Sequence, residues 1–256
     1  MLLVVDIGNT NVVLGVFDGQ KLAHHWRMAT RADQTGDEFG IFLASLFQLA
    51  GISLGEIEGV IICSVVPPIQ ATIVRGIRRY LGMNPLLVGP GLKTGIAIRY
   101  DNPRDVGADR IVNAVAAYEL VKGAAIVVDF GTATTFDLVG ENGDYLGGAI
   151  APGLALSMNA LSEKTAKLPR VELVQRPPVV GRNTVDSIQS GMYWGYVGLV
   201  EGLLGRMIAE SGFASVRVLA TGGLARMLAT ECSTIAEVDE FLTLNGLRLL
   251  YERNRQ

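Results

Sequence analysis

Two short segments carry the residue types that phosphate chemistry needs. Leu3-Val4-Val5-Asp6-Ile7-Gly8-Asn9-Thr10 is echoed, about half the chain later, by Ile126-Val127-Val128-Asp129-Phe130-Gly131-Thr132-Ala133. In each, an apolar, β-branched run ends in Asp-x-Gly. Glycine lets the backbone approach a ligand closely, so the N–H groups of the turn can cradle a phosphate. A carboxylate at the strand end stands too near the phosphates to touch them and is better placed to hold a metal ion or its water. Asp6 is the magnesium-side candidate. A lone Asp-Gly pair more often only satisfies a hairpin turn. Two copies in corresponding positions shift the reading toward a phosphate site. A third glycine turn, Ala220-Thr221-Gly222-Gly223-Leu224, reads equally as room for a flat adenine or ribose and as close packing of a helix on a strand. There is no P-loop and no G-x-G-x-x-G at a strand end.

A second constellation is Asp105-Val106-Gly107-Ala108-Asp109-Arg110-Ile111, an N-cap and first helical turn with Ile111, Val115 and Tyr118 on the packed side. Asp109 and Arg110 lie where a helix N-terminus favours anions. On local grounds they read as a surface aspartate complementing the macrodipole and an arginine paired to it, and the helix end is expected to lower the carboxyl pKa.

Each phosphate turn needs strands to hold it. Both copies continue into an apolar second strand (12–17 and 134–139), a turn rich in Gly, Asp and Asn, and a third strand-like segment. Helices then follow at 37–50 and 68–81 around a buried strand at 60–63 and a short one at 86–88. In the second half they fall at about 152–165 and 184–211, then near Leu224 and at 239–254, with a strand at 216–220. Strands then helices, twice, describe two α/β domains, 1–103 and 104–256, with a cleft between them. Pro90, Gly91, Gly95 and Pro103 break the pattern at the junction.

Composition narrows the partners. Of 256 residues 49% are hydrophobic and only 18% charged, which excludes a disordered chain and leaves few charges to cover an exterior. The net charge of −3 offers no footprint for nucleic acid or anionic lipid. No apolar run reaches spanning length, and MLLVVDIGNT lacks the pattern of a signal peptide, so the chain reads as cytoplasmic. Cys63 and Cys232 read as reduced core thiols. The segment 187–207 interleaves Gly191, Gly195, Gly198, Gly202 and Gly205 with large apolar residues. That pattern suits a homodimer interface or packing against the 151–165 helix. Lys167 to Pro169 and Pro177-Pro178 read as a loop over the cleft, and His24 and His25 have no derivable role.

The glycine turns together resemble the superfamily of acetate kinase, sugar kinases, Hsp70 and actin. More narrowly, DIGNTN at 6–11, SVVPP at 64–68, YDNP at 100–103, GADR at 107–110, DFGTATT at 129–135, GGAIAPG at 147–153, ATGG at 220–223 and LTLNGL at 242–247 resemble type III pantothenate kinase. The resemblance runs in order along nearly the whole chain. It implies two similar actin-like (ribonuclease H-like) α/β domains, each a mixed sheet flanked by helices, with the active site in the cleft. It implies ATP-dependent phosphorylation of pantothenate on its primary hydroxyl, the first step toward coenzyme A, by a homodimer. Asp109 becomes the group that accepts the hydroxyl proton. Asp6, Ile7, Gly8, Asn9, Thr10, Asn11, Val12, Val13 and Thr132 become the ATP side, and Tyr100, Gly107, Ala108, Asp109, Arg110 and Thr184 the pantothenate side. Asp6 holds magnesium through water, and Asp129 holds a monovalent cation, potassium or ammonium. Thr132, Thr134, Thr135 and backbone carbonyls are its expected neighbours. The alternatives are a kinase of the same superfamily with another hydroxylated substrate, and a non-catalytic accessory factor.

Overall fold

The computed structural model describes residues 1–255. The chain forms two compact units: residues 1–97, 101–116 and Phe241 onward make the first, and residues 98–100 and 117–240 the second.

In the first unit β1 (Leu2–Ile7), β2 (Asn11–Asp18) and β3 (Lys21–Ala29) form an antiparallel meander, and β4 (Gly59–Ser64) and β5 (Leu86–Leu87) extend it in parallel. The order is β3-β2-β1-β4-β5. Helix α1 (Gly36–Ala50) starts where Thr35 and Glu38 form a capping box, and it stops at Gly51 with φ of 71°. Helix α2 (Pro67–Leu81) opens on Pro67-Pro68, whose missing N–H groups cost nothing in a first turn. Strand periodicity then sorts the core. Leu3, Val5 and Ile7 of β1, with Val60 and Ile62 of β4, pack under Phe39, Leu43 and Phe47 of α1 and Ile69, Ile73 and Ile77 of α2. Leu2, Val4, Ile61 and Cys63 face the other way, onto Val112 and Val115 of α3 (Ala108–Val121) and Leu244, Leu247 and Leu250 of α7 (Leu242–Asn254). Placed with the second half on sequence, α7 packs on β1 and β4 of the first unit.

The second unit repeats the plan. β6 (Ala125–Phe130), β7 (Ala133–Val139) and β8 (Tyr145–Pro152) form the meander, and β9 (Arg217–Thr221) and β10 (Glu237–Val238) the parallel extension, in the order β10-β9-β6-β7-β8. Strand for strand this is the order of the first sheet. Ile126, Val128 and Phe130 pack with Leu154 of α4 (Leu154–Glu163), Tyr193, Val197, Val200 and Leu204 of α5 (Thr184–Ser211), and Ala225 and Leu228 of α6 (Ala225–Ala229). The two-residue β10 has no periodic signal to read, and it joins the sheet only through its pairing with β9. Cys63 and Cys232 are free and buried. Among the described residues no helix is long and apolar enough to cross a membrane.

Candidate active site

Asp6 has the parity of Leu2 and Val4, so the pleat that sends those side chains toward α3 and α7 sends the carboxylate to the same face. Cys63 is its register partner on β4 and is fully buried. Asp109 enters from α3. Burial pushes the Cys63 thiol well up, and the charges of Asp6 and Asp109 push it further. Two carboxylates distant in sequence therefore both act electrostatically on the thiol at one end of the first sheet. Helix α3 begins at Ala108, later than expected. Residues Pro103–Asp105 form a separate 3₁₀ turn capped by Asn102, whose amide reaches Asp105 at 2.8 Å. Gly107 gives the Asp109 carboxylate its room, since a Cβ there would lie 2.5 Å from Asp109 Oδ1.

The expected lowering of the Asp109 pKa is overturned. Burial raises it, and the Arg110 backbone N–H (2.8 Å to Oδ1) and the Arg110 charge only partly offset that. Desolvation of a carboxylate outweighs the field of a helix end when the group leaves solvent. Arg110 is itself buried at 6% exposure, so the surface-pair reading is replaced by a pair within the protein.

Of the ATP-side residues of the first half, Ile7 and Val12 bury their side chains completely and can offer only backbone. Asn9 and Thr10 are exposed, and Gly8, Asn11 and Val13 are half-buried. The turn is narrow, with the Gly8 N–H donating to Asn11 O at 3.0 Å.

In the second unit Asp129 lies at the end of β6, opposite Thr135. Thr134 has the other parity: it is 1% exposed and pairs with the Tyr196 hydroxyl at 2.5 Å, on the α5 side. Thr135 donates to the buried Asp137 carboxylate at 3.1 Å, which also accepts from the Tyr145 hydroxyl at 2.9 Å. Two of the three threonines expected around Asp129 are thus committed elsewhere, and only Thr132 stands exposed at the turn. Of the two readings of the third glycine turn, the packing one has a visible cause at Gly222. With φ of 92°, its missing Cβ would lie 2.6 Å from Asp129 Oδ1 and 2.7 Å from the Phe130 backbone. At Gly222 the absence of a side chain allows close packing of this turn on β6 and against the Asp129 carboxylate.

Tyr100 is 39% exposed, its ring tilted on Tyr145 at 6.2 Å. Thr184 opens α5 directly after Asn183, which is the actual N-cap, accepting from the Asp186 N–H at 2.9 Å. Thr184 lines an open cavity of about 650 Å³ with Arg182, Asn183, Ser187 and Met192. Arg182 is a cation in that cavity that the sequence reading passed over, because a basic residue before a helix cap has no distinguishing pattern. The segment after α4 is tied to α5, with the Trp194 indole donating to Pro177 O at 2.8 Å and the Ser190 hydroxyl to Val179 O at 2.6 Å.

Among the described residues no group of three or more His, Cys, Asp or Glu side chains can hold a metal unaided. One carboxylate at a phosphate turn suits magnesium, which takes most of its ligands from water and substrate phosphates. At the second turn the Asp129 carboxylate and the exposed Thr132 are oxygen donors of the kind a larger, weakly hydrated cation takes.

A family model described as type III pantothenate kinase matches residues 2–206. A type III pantothenate kinase of Geobacter sulfurreducens is 57% identical over 256 residues, covering all of both chains. Among solved structures, a Campylobacter jejuni protein proposed to be a Baf family transcriptional activator superposes with a TM-score of 0.61 at 18% identity, over 99% of this chain and 98% of that one. A Sinorhizobium meliloti protein proposed to be a 2-dehydro-3-deoxygalactonokinase does so with 0.57 at 13% identity, over 98% and 96%. At such identities these two speak for the fold alone, the two-domain actin-like fold of sugar kinases. The ordered motifs, the doubled sheet and the full-length identity converge, and the chain belongs to the type III pantothenate kinase family.

Proposed function

We propose that this chain transfers the γ-phosphoryl group of ATP to the primary hydroxyl of pantothenate, the first step of coenzyme A biosynthesis. The observation that carries the reading is the convergence of Asp109 with Asp6, both near enough to act on the Cys63 thiol. One carboxylate stands at a strand-end glycine turn, and a second, with its pKa raised, acts on the same thiol and is the group assigned to take the proton. The turn from Asp6 to Val13 holds the phosphates through backbone N–H groups, aided by Asn9 and Thr10, and Thr132 serves the ATP side of the second turn. Asp6 is the residue that would hold magnesium through water, and the metal would supply charge neutralisation on the phosphates. Asp109 aligns the attacking hydroxyl and accepts its proton late, as a loose transition state allows. Tyr100, Gly107, Ala108, Arg110 and Thr184 are assigned to pantothenate on the family resemblance, with Arg110 the cation for its carboxylate.

The direct test is coupled ADP release with pantothenate as acceptor, set beside a screen of other small hydroxylated acids and sugars. Release that depends on pantothenate is expected. Equal rates with another acceptor point to a sibling kinase, and no release with any acceptor points to an accessory factor.

Asp129 is assigned to a monovalent cation, potassium or ammonium. Rates in sodium or tetramethylammonium salts are expected to be roughly tenfold or more below those in potassium at equal ionic strength, the scale of one lost electrostatic contact near the transferred group. Asp129→Ala should erase the difference. Equal rates in sodium, tetramethylammonium, potassium and ammonium salts would remove the cation from the scheme.

The homodimer is supported by α5. Gly191, Gly195, Gly198, Gly202 and Gly205 repeat at spacings of four and three, which draws one stripe along the helix. A Cβ at Gly191, Gly195, Gly198 or Gly205 would meet nothing within 4 Å, so packing within the chain does not require these glycines. Each costs about 1 kcal/mol relative to alanine in a helix, a cost that close approach of another helix offsets. Sedimentation at micromolar concentration should show a dimer, and Gly195→Leu should shift it to monomer with loss of activity. A fully active wild-type monomer would refute the interface.

A further inference from the structure

The two phosphate turns are held from the same place. In the first, the Gly8 N–H donates to Asn11 O at 3.0 Å; in the second, the Gly131 N–H donates to Ala133 O at 3.1 Å. In both, a Cβ on the glycine would lie 3.2 Å from that carbonyl. In both, the residue that follows the third strand of the meander reaches back to the turn. The Thr30 N–H donates to Thr10 O at 2.9 Å, and the Gly153 N–H donates to Thr132 O at 3.1 Å. The halves then differ. A side chain at Gly153 would overlap the Thr132 carbonyl, so none is present. The first half has room for one, and there the Thr30 hydroxyl donates to Gly8 O at 2.7 Å.

We infer that Thr30 is a positioning residue for the first phosphate turn, acting on the nucleotide through the peptide plane between Gly8 and Asn9. A trans peptide is planar, with its N–H directed opposite its C=O. Holding the Gly8 carbonyl toward Thr30 therefore aims the Asn9 N–H away from the end of β3, and the second bond, to Thr10 O, fixes the far side of the turn. Preorganised N–H groups bind a phosphate without first spending ordering entropy. The Val65 N–H holds the Ile7 carbonyl from the β4 side at 3.1 Å, and Thr30, at the end of the edge strand β3, holds the turn from the opposite side. Thr30 is half-buried and contributes little to the core, so its side chain can be altered without opening a cavity.

The inference rests on the assignment of this turn to ATP, and the experiment separates the two. Thr30→Val keeps the shape and removes the donor, whereas Thr30→Ser keeps the donor. With Thr30→Val, the KM for ATP should rise about three- to tenfold, the scale of one lost hydrogen bond. The KM for pantothenate and the melting temperature of the free protein should hold, and Thr30→Ser should restore ATP affinity to within about twofold. A Thr30→Val enzyme whose KM for ATP stays within twofold of wild type overturns the inference. So does one in which both KM values rise together with a fall in melting temperature, which would mark a merely structural role. Asp6→Ala, measured in parallel, tests the underlying assignment. If it lowers ATP turnover while Thr30→Val is silent, only the positioning role is lost; if ATP turnover survives it, the turn itself is misassigned.

Discussion

Asp109→Asn is expected to lower kcat by roughly 10²- to 10⁴-fold, the range for loss of a positioned general base, while the protein stays folded. Asparagine keeps the outline of the side chain and can still accept from the Arg110 N–H, but it cannot take the hydroxyl proton. The raised pKa sharpens the expectation. Activity requires the ionised carboxylate, so it is lost as pH falls through the folded-state pKa. The acid limb of kcat/KM should accordingly lie above the ordinary aspartate range and should be absent from whatever activity the variant retains. The same shift has a sign for stability. A carboxyl whose folded pKa is raised holds its proton in the native state at pH values where the unfolded chain has released it. Stability therefore falls as pH rises from the unfolded value through the raised one. At neutral pH the ionised Asp109 is a cost to the fold, and Asp109→Asn should melt at or above the wild-type temperature. Activity within a few-fold of wild type, with an unchanged acid limb, would remove Asp109 as the base.

How much of this was legible beforehand depends on whether the cause was local. The Asp-x-Gly turns were visible because a β-branched run and a glycine are adjacent in sequence, and their duplication pointed to two similar α/β units; that the two sheets also share one strand order is set by pairing, which the sequence does not show. Helix α5 has the expected bounds, Thr184–Ser211, because Asn183 caps it and Gly212 ends it with φ of 69°. The direction of the Asp109 shift was not legible, since burial is set by what packs around α3 and not by its position in the helix. The commitment of Thr134 to Tyr196 could have been read from the period of two, which puts neighbouring threonines on opposite faces. Helix α7 was misplaced because chain order suggested the second half. Gly246, where any Cβ would overlap the Val112 carbonyl, and the Thr243 hydroxyl, which bonds Asn113 at 2.7 Å, dock it on α3 instead.

The doubled architecture also explains why the halves share a scaffold and differ in chemistry. Each strand-end aspartate has the same backbone setting, but what lies beside it differs. Asp6 and Asp109 both act on Cys63, a thiol that burial keeps protonated and inert. Asp129 has instead a glycine packed at its carboxylate and an exposed threonine at its turn. In the proposed scheme the first setting serves the proton acceptor and a divalent ion carried by phosphates, and the second the monovalent cation.

Asp6→Ala provides the complementary test, because it removes the carboxylate at the nucleotide turn and leaves the base in place. Loss of one preorganised charge aimed at the phosphates is worth about 10²- to 10³-fold in kcat, and the loss should appear with every acceptor. It should also appear in nucleotide binding measured without pantothenate, since the turn meets ATP before any acceptor is needed. The fold should tolerate the change. Asp6 is half-buried at a strand end, and its neighbours Val5 and Ile7 hold β1 to the opposite face of the sheet. A variant that binds and hydrolyses ATP normally but loses affinity for pantothenate would mean that the first turn serves the acceptor, and the assignment of the two carboxylates would have to be exchanged.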